Sequence, residues 1–296
     1  MDKDSSVGII IVLGIIFIAL FGGFKNSNNS GGIFSITKKT TPQKEVNVEK
    51  ETKRIENEIE KLKKQIQIEE DKVTQSKYKD IVTLSTVTRS TNPSKEYITI
   101  RVKSTATTTI PVTGWVLKSL STGTQVSIPK GTYLYFTGML NVEENIFLTG
   151  GDTLYLVTGI SPNGASFKTN KCSGYLDQFQ TFTPYLRDEC PRPKDENLSS
   201  IPNLVINDAC FDYINSMPQC KIQTKPLPIN WSYECTNFIY QKINYPNCVN
   251  THKNDSDFYK KEWRVYLKRS SSIWKTKKET VVLYDNLGKI VDTIKY

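Results

Sequence analysis

Three hydrophobic patterns follow one another along this chain. The first is an unbroken apolar run, VGIIIVLGIIFIALFGGF, from Val7 to Phe24. Its 18 residues carry no charge, just enough for a bilayer-spanning helix, which takes roughly 20. No small-x-small cleavage site follows, so the run predicts an uncleaved signal anchor over residues 1–24 rather than a cleaved signal peptide. A polar spacer rich in Ser, Asn, Gly and Thr, including NSNNSGG, fills residues 25–43 and reads as a flexible linker.

The second pattern has a period of 3.5. Between Lys44 and Lys77 the apolar positions Val48, Ile55, Ile59, Leu62, Ile66 and Val73 fall on a 4-3 spacing, with Thr52 and Glu69 at the two weak seam positions. This predicts a coiled-coil stalk over 44–77, and through it a homo-oligomer. A single amphipathic helix that never pairs has the same pattern.

The third pattern has a period of two. In Glu96–Lys103, Ile98, Ile100 and Val102 alternate with Tyr97, Thr99 and Arg101, as in a half-buried strand. Further strands are expected at Val112–Ser119, Gln125–Ile128, Thr132–Phe136 and Asp152–Thr158, separated by Gly-containing turns. The style returns at Trp263–Lys268, Thr280–Tyr284 and Ile290–Lys295, the last two flanking the hairpin turn Asp285–Gly288. Between these blocks, prolines break the chain into loops, and only Asp208–Met217 and Ser232–Ile243 read as short helices.

Composition changes this picture at one point. All six cysteines, Cys172, Cys190, Cys210, Cys220, Cys235 and Cys248, lie in the loop-rich segment, with no C-x-x-C and a single histidine, His252. That spacing does not suit a zinc site. An even count in a core-poor segment predicts three disulfides, which persist in oxidising compartments. Sequential pairing, Cys172–Cys190, Cys210–Cys220 and Cys235–Cys248, is the simplest of 15 possibilities. The lysines flanking the apolar run, Lys3 before it and Lys25, Lys38 and Lys39 after it, point weakly the other way; long domains translocate largely regardless of such counts. The body is expected outside the cytoplasm, at the cell surface.

Glu96-Tyr-Ile-Thr-Ile, Thr113-Gly-Trp-Val-Leu117, Ile128-Pro-Lys-Gly131 with Leu134 and Gly138, Gly151-Asp-Thr-Leu-Tyr-Leu156 and the tail Glu279–Val291 resemble the lamin-tail domain. The layout is similar to membrane-anchored bacterial proteins of that type. The resemblance implies a mainly β, immunoglobulin-like sandwich, here with a disulfide-rich, partly helical insert and preceded by a transmembrane helix and a short coiled-coil helix. Its parts are a first section over 78–168, a cysteine-rich insert over 169–255 and last strands over 256–296. A complete sandwich followed by an extra hairpin is the other layout.

No catalytic, cofactor or metal constellation emerges. His252 reads as a surface-loop residue, and Asp255 and Asp257 beside it lack the glycine and glutamate of a calcium loop. Tyr175, Phe179, Phe182 and Tyr185 are either a stacking patch for a ligand or the core beneath a long loop. The net charge is +9, and Lys260, Lys261, Arg264, Lys268, Arg269, Lys275, Lys277 and Lys278 crowd the last strands, which favours acidic partners. The expected function is a non-enzymatic, membrane-anchored surface protein that presents a binding face to an unknown protein or anionic polymer. A module for nucleic acid or anionic cell-wall polymer is the alternative; a hydrolase is the third reading.

Overall fold

The structure, a computed structural model, describes residues 48–196 and 208–296. The expected anchor, the linker and the first residues of the stalk lie outside the described residues. The chain divides at Asn57–Glu58 into two compact units.

Helix α1 covers Val48–Thr74. Glu, Lys, Gln and Ile favour it, and neither Gly nor Pro interrupts it. Lys64 reaches back to Glu60 at 2.9 Å and Lys72 to Glu69 at 2.7 Å, adding small i,i+4 and i,i+3 contributions.

Beyond the helix, the second unit is built on two sheets. The larger has the order β1 (Val82–Thr88), β2 (Tyr97–Val102), β7 (Thr153–Val157), β9 (Tyr259–Tyr266), β8 (Phe167–Asn170). The smaller has the order β11 (Ile290–Lys295), β10 (Thr280–Tyr284), β4 (Val116–Ser119), β5 (Gln125–Ser127), and β3 (Ile110–Pro111) pairs β6 (Phe147–Leu148) beside them. Alternation decides the faces. Ile98, Ile100, Leu154, Leu156, Trp263 and Val265 point to a core shared with Trp115, Leu117, Val281 and Leu283 of the smaller sheet. Leu84 N–H donates to Asp292 Oδ2 at 2.6 Å, tying β1 to β11. Asp285 Oδ1 accepts from the amides of Leu287 and Lys289 at 2.9 and 3.0 Å, and Gly288 takes φ +72, closing the β10–β11 hairpin.

The fold class needs correction. β7 and β9 run parallel, so the larger sheet is mixed, not the antiparallel sheet of an immunoglobulin-like sandwich. A parallel pair needs a long crossover connection, and here the cysteine-bearing segment supplies it. That segment also covers part of the sheet's outer face. Val157, Phe167 and Tyr266 join Tyr175, Leu176, Phe182, Leu186, Ile214, Phe238, Ile239 and Val249 in a second core. The segment is therefore not poor in core, because it borrows one face of the sheet. The expected transmembrane helix is not supported either: among the described residues no helix is long and apolar enough to cross a membrane.

Local expectations also change. Thr132–Phe136 is not a strand; its contact to β8 is an isolated bridge at Thr132. Helices α2 (Asp208–Ser216) and α3 (Tyr233–Lys242) form, α3 capped by Ser232 accepting from Cys235 N–H. A further helix, α4 (Tyr245–His252), starts with Pro246 in its first turn, where proline removes no helical hydrogen bond. Pro246 is thus a helix starter, not a breaker.

All six cysteines are bonded, and the pairs are Cys172–Cys248, Cys190–Cys220 and Cys210–Cys235. Sequential pairing is wrong at every bond. Cys172 sits just past the end of β8, next to α4, so its partner lies 76 residues away in sequence. Gly174 lets Cys220 Sγ and the Arg187 carbonyl come so close that a Cβ would collide with both. Three disulfides suit an oxidising, extracytoplasmic compartment.

Candidate binding cleft

The part of the sheet's outer face that the cap leaves open lines a cleft of about 270 Å³. Cross-strand register builds its floor. Arg101, Thr153 and Glu262 lie side by side on β2, β7 and β9, and Tyr155 pairs with Arg264 two residues further along. The wall comes from the disulfide-bonded segment: Asn170, Ser173, Leu186, Arg187 and Glu189. This wall is held by short local bonds. Asn170 Oδ1 accepts from Cys172 N–H at 2.9 Å, and Asn170 N–H donates to Ser173 Oγ at 2.9 Å. Thr169 Oγ1 donates to the Glu262 carbonyl at 3.1 Å.

Arg264 joins wall to floor. It is 2% exposed and stacks over the Tyr155 ring at 4.5 Å. Its guanidinium donates to Glu262 Oε1 at 2.9 Å, to the Pro184 carbonyl at 2.6 Å and to the Tyr185 carbonyl at 3.1 Å. A buried guanidinium needs such partners, so this residue is structural and not a ligand-binding cation.

Four basic side chains, Arg101, Arg187, Lys260 and Lys261, line the cleft against two carboxylates, Glu189 and Glu262. Glu262 is already taken by Arg264. Glu189 is shared, at 3.4 Å from Arg187 and 3.5 Å from Lys260. Such long, solvent-washed pairs contribute little, so an incoming anion can exchange for Glu189. Lys261 Nζ donates to the Gly150 carbonyl at 2.6 Å. Arg101 is exposed and makes no side-chain hydrogen bond or ion pair among the described residues.

The expected site residues are dispersed by this geometry. Tyr175 and Phe182 are buried in the second core, whereas Phe179 and Tyr185 are exposed. Burial pushes the Tyr175 hydroxyl up to about 12, with the Glu196 carboxylate adding to it. Of the basic cluster on the last strands, only Lys260 and Lys261 reach the cleft. Lys268 lies 3.7 Å from Glu143 instead. Arg101, Arg187, Glu189 and Tyr155 were not singled out by sequence. Alternation in β2 does place Arg101 on the non-core face, but which wall stands over that face is not a local property.

His252 is not a loop residue. It ends α4, half-buried, with Nδ1 2.8 Å from Asp255 Oδ2 and Nε2 3.2 Å from Glu196 Oε1. Lys171 Nζ donates to Asp255 at 2.8 Å and Asp257 at 2.6 Å. Hydrogen bonds from Lys171 and then His252 hold the Asp255 carboxyl below its ordinary value. The cluster is a clasp between α4, the end of β8 and the loop before β9. Among the described residues no group of His, Cys, Asp and Glu is placed to hold a metal ion.

No family model and no curated protein matches this chain.

Proposed function

We propose that this chain is a non-enzymatic, extracytoplasmic binding protein whose cleft takes an anionic ligand. The observation that carries the reading is Arg101: an exposed guanidinium on the cleft floor with no side-chain partner among the described residues, flanked by Arg187 and Lys260, which share one weakly held carboxylate. An arginine fork matches carboxylate, sulfate or phosphate oxygens in two-point contact. The adjoining hydroxyl of Thr153 suits the polar groups of a sugar-based polymer. The three disulfides support the compartment.

The test is retention of the full chain, in detergent, on immobilised heparin against uncharged agarose. Retention should fall steeply with salt, and Arg101→Ala with Lys260→Ala should lower the salt slope by about one per cation removed, by analogy with other polyanions. Equal retention of the double variant and the parent protein would overturn the cleft as the site.

A further inference from the structure

The apolar seam of α1 finds no cover within the described chain. Ile55 is 52% exposed, Ile59 43%, Leu62 53% and Ile66 46%. Within the second unit the sheets do touch the end of the helix, but on a different side. Ile68, Asp71, Lys72 and Gln75 form a groove with Lys289, Lys289 Nζ donates to the Lys72 carbonyl at 2.8 Å, and Ser76 N–H donates to the Ile290 carbonyl at 2.8 Å. In the 4-3 pattern those helix residues lie outside the seam, so the apolar stripe itself stays open.

We propose that the occupant of this seam is α1 of a second copy of the chain, running antiparallel and centred between Glu60 and Lys61. Two features decide the orientation. The first is Glu69, which stands at a seam position. In a parallel pair in register, the two Glu69 carboxylates would face each other in the seam, a like-charge contact at a desolvated position. In the antiparallel register each Glu69 meets Thr52 of the other copy, and the apolar layers become Ile59 on Leu62 and Ile55 on Ile66, each occurring twice. The second feature is the charge flanking the seam. Parallel helices would set Glu58 against Lys63 but Glu51 against Glu56, one attraction for each repulsion. Antiparallel helices set Lys63 against Glu56 and Lys72 against Glu51, leaving Gln65 beside Glu58. Only Glu70 with Glu49, in the outermost turn, then opposes, so attractions outnumber repulsions two to one. Flanking charges of this kind choose partner orientation in helical pairs. Both weak seam residues, Thr52 and Glu69, are absorbed by the same register.

The pairing joins two copies of the sheet-bearing unit, one at each end of the stem, so that two separated clefts are available to one repeating ligand. That consequence rests on the binding reading above, but the pairing does not.

The experiment uses the full chain, secreted in an oxidising host, with Thr52→Cys and Glu69→Cys carried on differently tagged copies. Antiparallel pairing gives a mixed disulfide between the two introduced thiols when the variants are co-expressed, exceeding the cross-link from either variant alone by about tenfold. Peptide mapping checks that the three native disulfides remain, so the variants are read only as folded protein. Lys63→Glu should weaken the mixed cross-link, and Glu56→Lys in the same chain should restore it. Cross-links from each single variant alone would establish a parallel pair and overturn the proposal. No cross-link from the mixture, or restoration by Glu58→Lys in place of Glu56→Lys, overturns it as well. Loss of polymer retention with the cross-link intact would count against the cleft and not against the stem.

Discussion

The two cores of the sheet-bearing unit share one sheet and are held in opposite ways. The core between the sheets contains no cysteine. It is filled by residues two apart on strands, from Ile98 and Ile100 to Trp263 and Val265. The core on the sheet's outer face contains all six cysteines, and its other walls are short helices and proline-rich loops. Strands bury alternate side chains whether or not covalent links exist. A segment of short helices and loops loses much chain entropy on ordering for each apolar group it buries, so cross-links that restrict the unfolded chain matter far more there. The lesson is that one sheet can support a self-sufficient layer on one face and a covalently pinned layer on the other.

The strongest way to break the comparison is full reduction. The bonds close separations of 76, 30 and 25 residues, each worth roughly 3–5 kcal/mol in the chain-entropy picture. Reduced protein should lose hydrogen-exchange protection in α2, α3 and α4 while β2, β7 and β10 keep theirs. Uniform loss across both layers would show that the cores are not separable.

Trp263→Ala attacks the shared element. Trp263 is fully buried against Tyr133, its ring 4.8 Å away, and sits on β9, the strand that serves both cores. The substitution should cost about 3–5 kcal/mol. Both layers should melt together in denaturant, unlike after reduction, as read by near-ultraviolet dichroism and by exchange in α3.

Arg264→Ala sharpens the contrast from the same strand. It strips Glu262 and the carbonyls of Pro184 and Tyr185 of their donor. A cost of about 3 kcal/mol is expected. Exchange should rise around residues 182–187 and stay unchanged in β10 and β11. Cleft binding should weaken even though Arg264 itself contacts no ligand.

The smallest effect isolates the two-sheet core by pH. Burial raises the Glu279 carboxyl, but hydrogen bonds from Ser119 Oγ and the amides of Lys275, Thr280 and Ser121 outweigh it and hold the group below its ordinary value. A lowered folded-state value stabilises above the unfolded value, about pH 4.3, and this contribution is lost as pH falls through the folded value. Glu279→Gln should therefore flatten the acid limb of the unfolding curve and cost roughly 1–2 kcal/mol at neutral pH. Unchanged acid sensitivity would assign that limb to other carboxylates.

Much of the architecture was legible because periodicity is a property of one chain segment. The alternation of Ile98, Ile100 and Val102 and the turn at Asp285–Gly288 could be read directly. β1 and β8 were missed: Val82–Thr88 is rich in threonine, and Phe167–Asn170 is only four residues long. α4 was missed because Pro246 was weighed as a breaker, not as a first-turn residue. The cleft was barely legible. Arg101 and Tyr155 come from strands that are neighbours only in the sheet, and Arg187 and Glu189 from a loop that disulfides position.

By itself, the sequence determined the period-two strands, the 4-3 helix and a chain in which six cysteines must be satisfied in an oxidising compartment. Those are local features, set by which side chains recur on one face. Only the tertiary structure decided that β9 enters parallel to β7, that Cys172 meets Cys248 rather than Cys190, and that the cap leaves Arg101 uncovered. Each of these depends on where distant segments lie in space. A crossover of about a hundred residues, Thr158 to Phe258, can return to a sheet in several places; burial of the sheet's second face selects one.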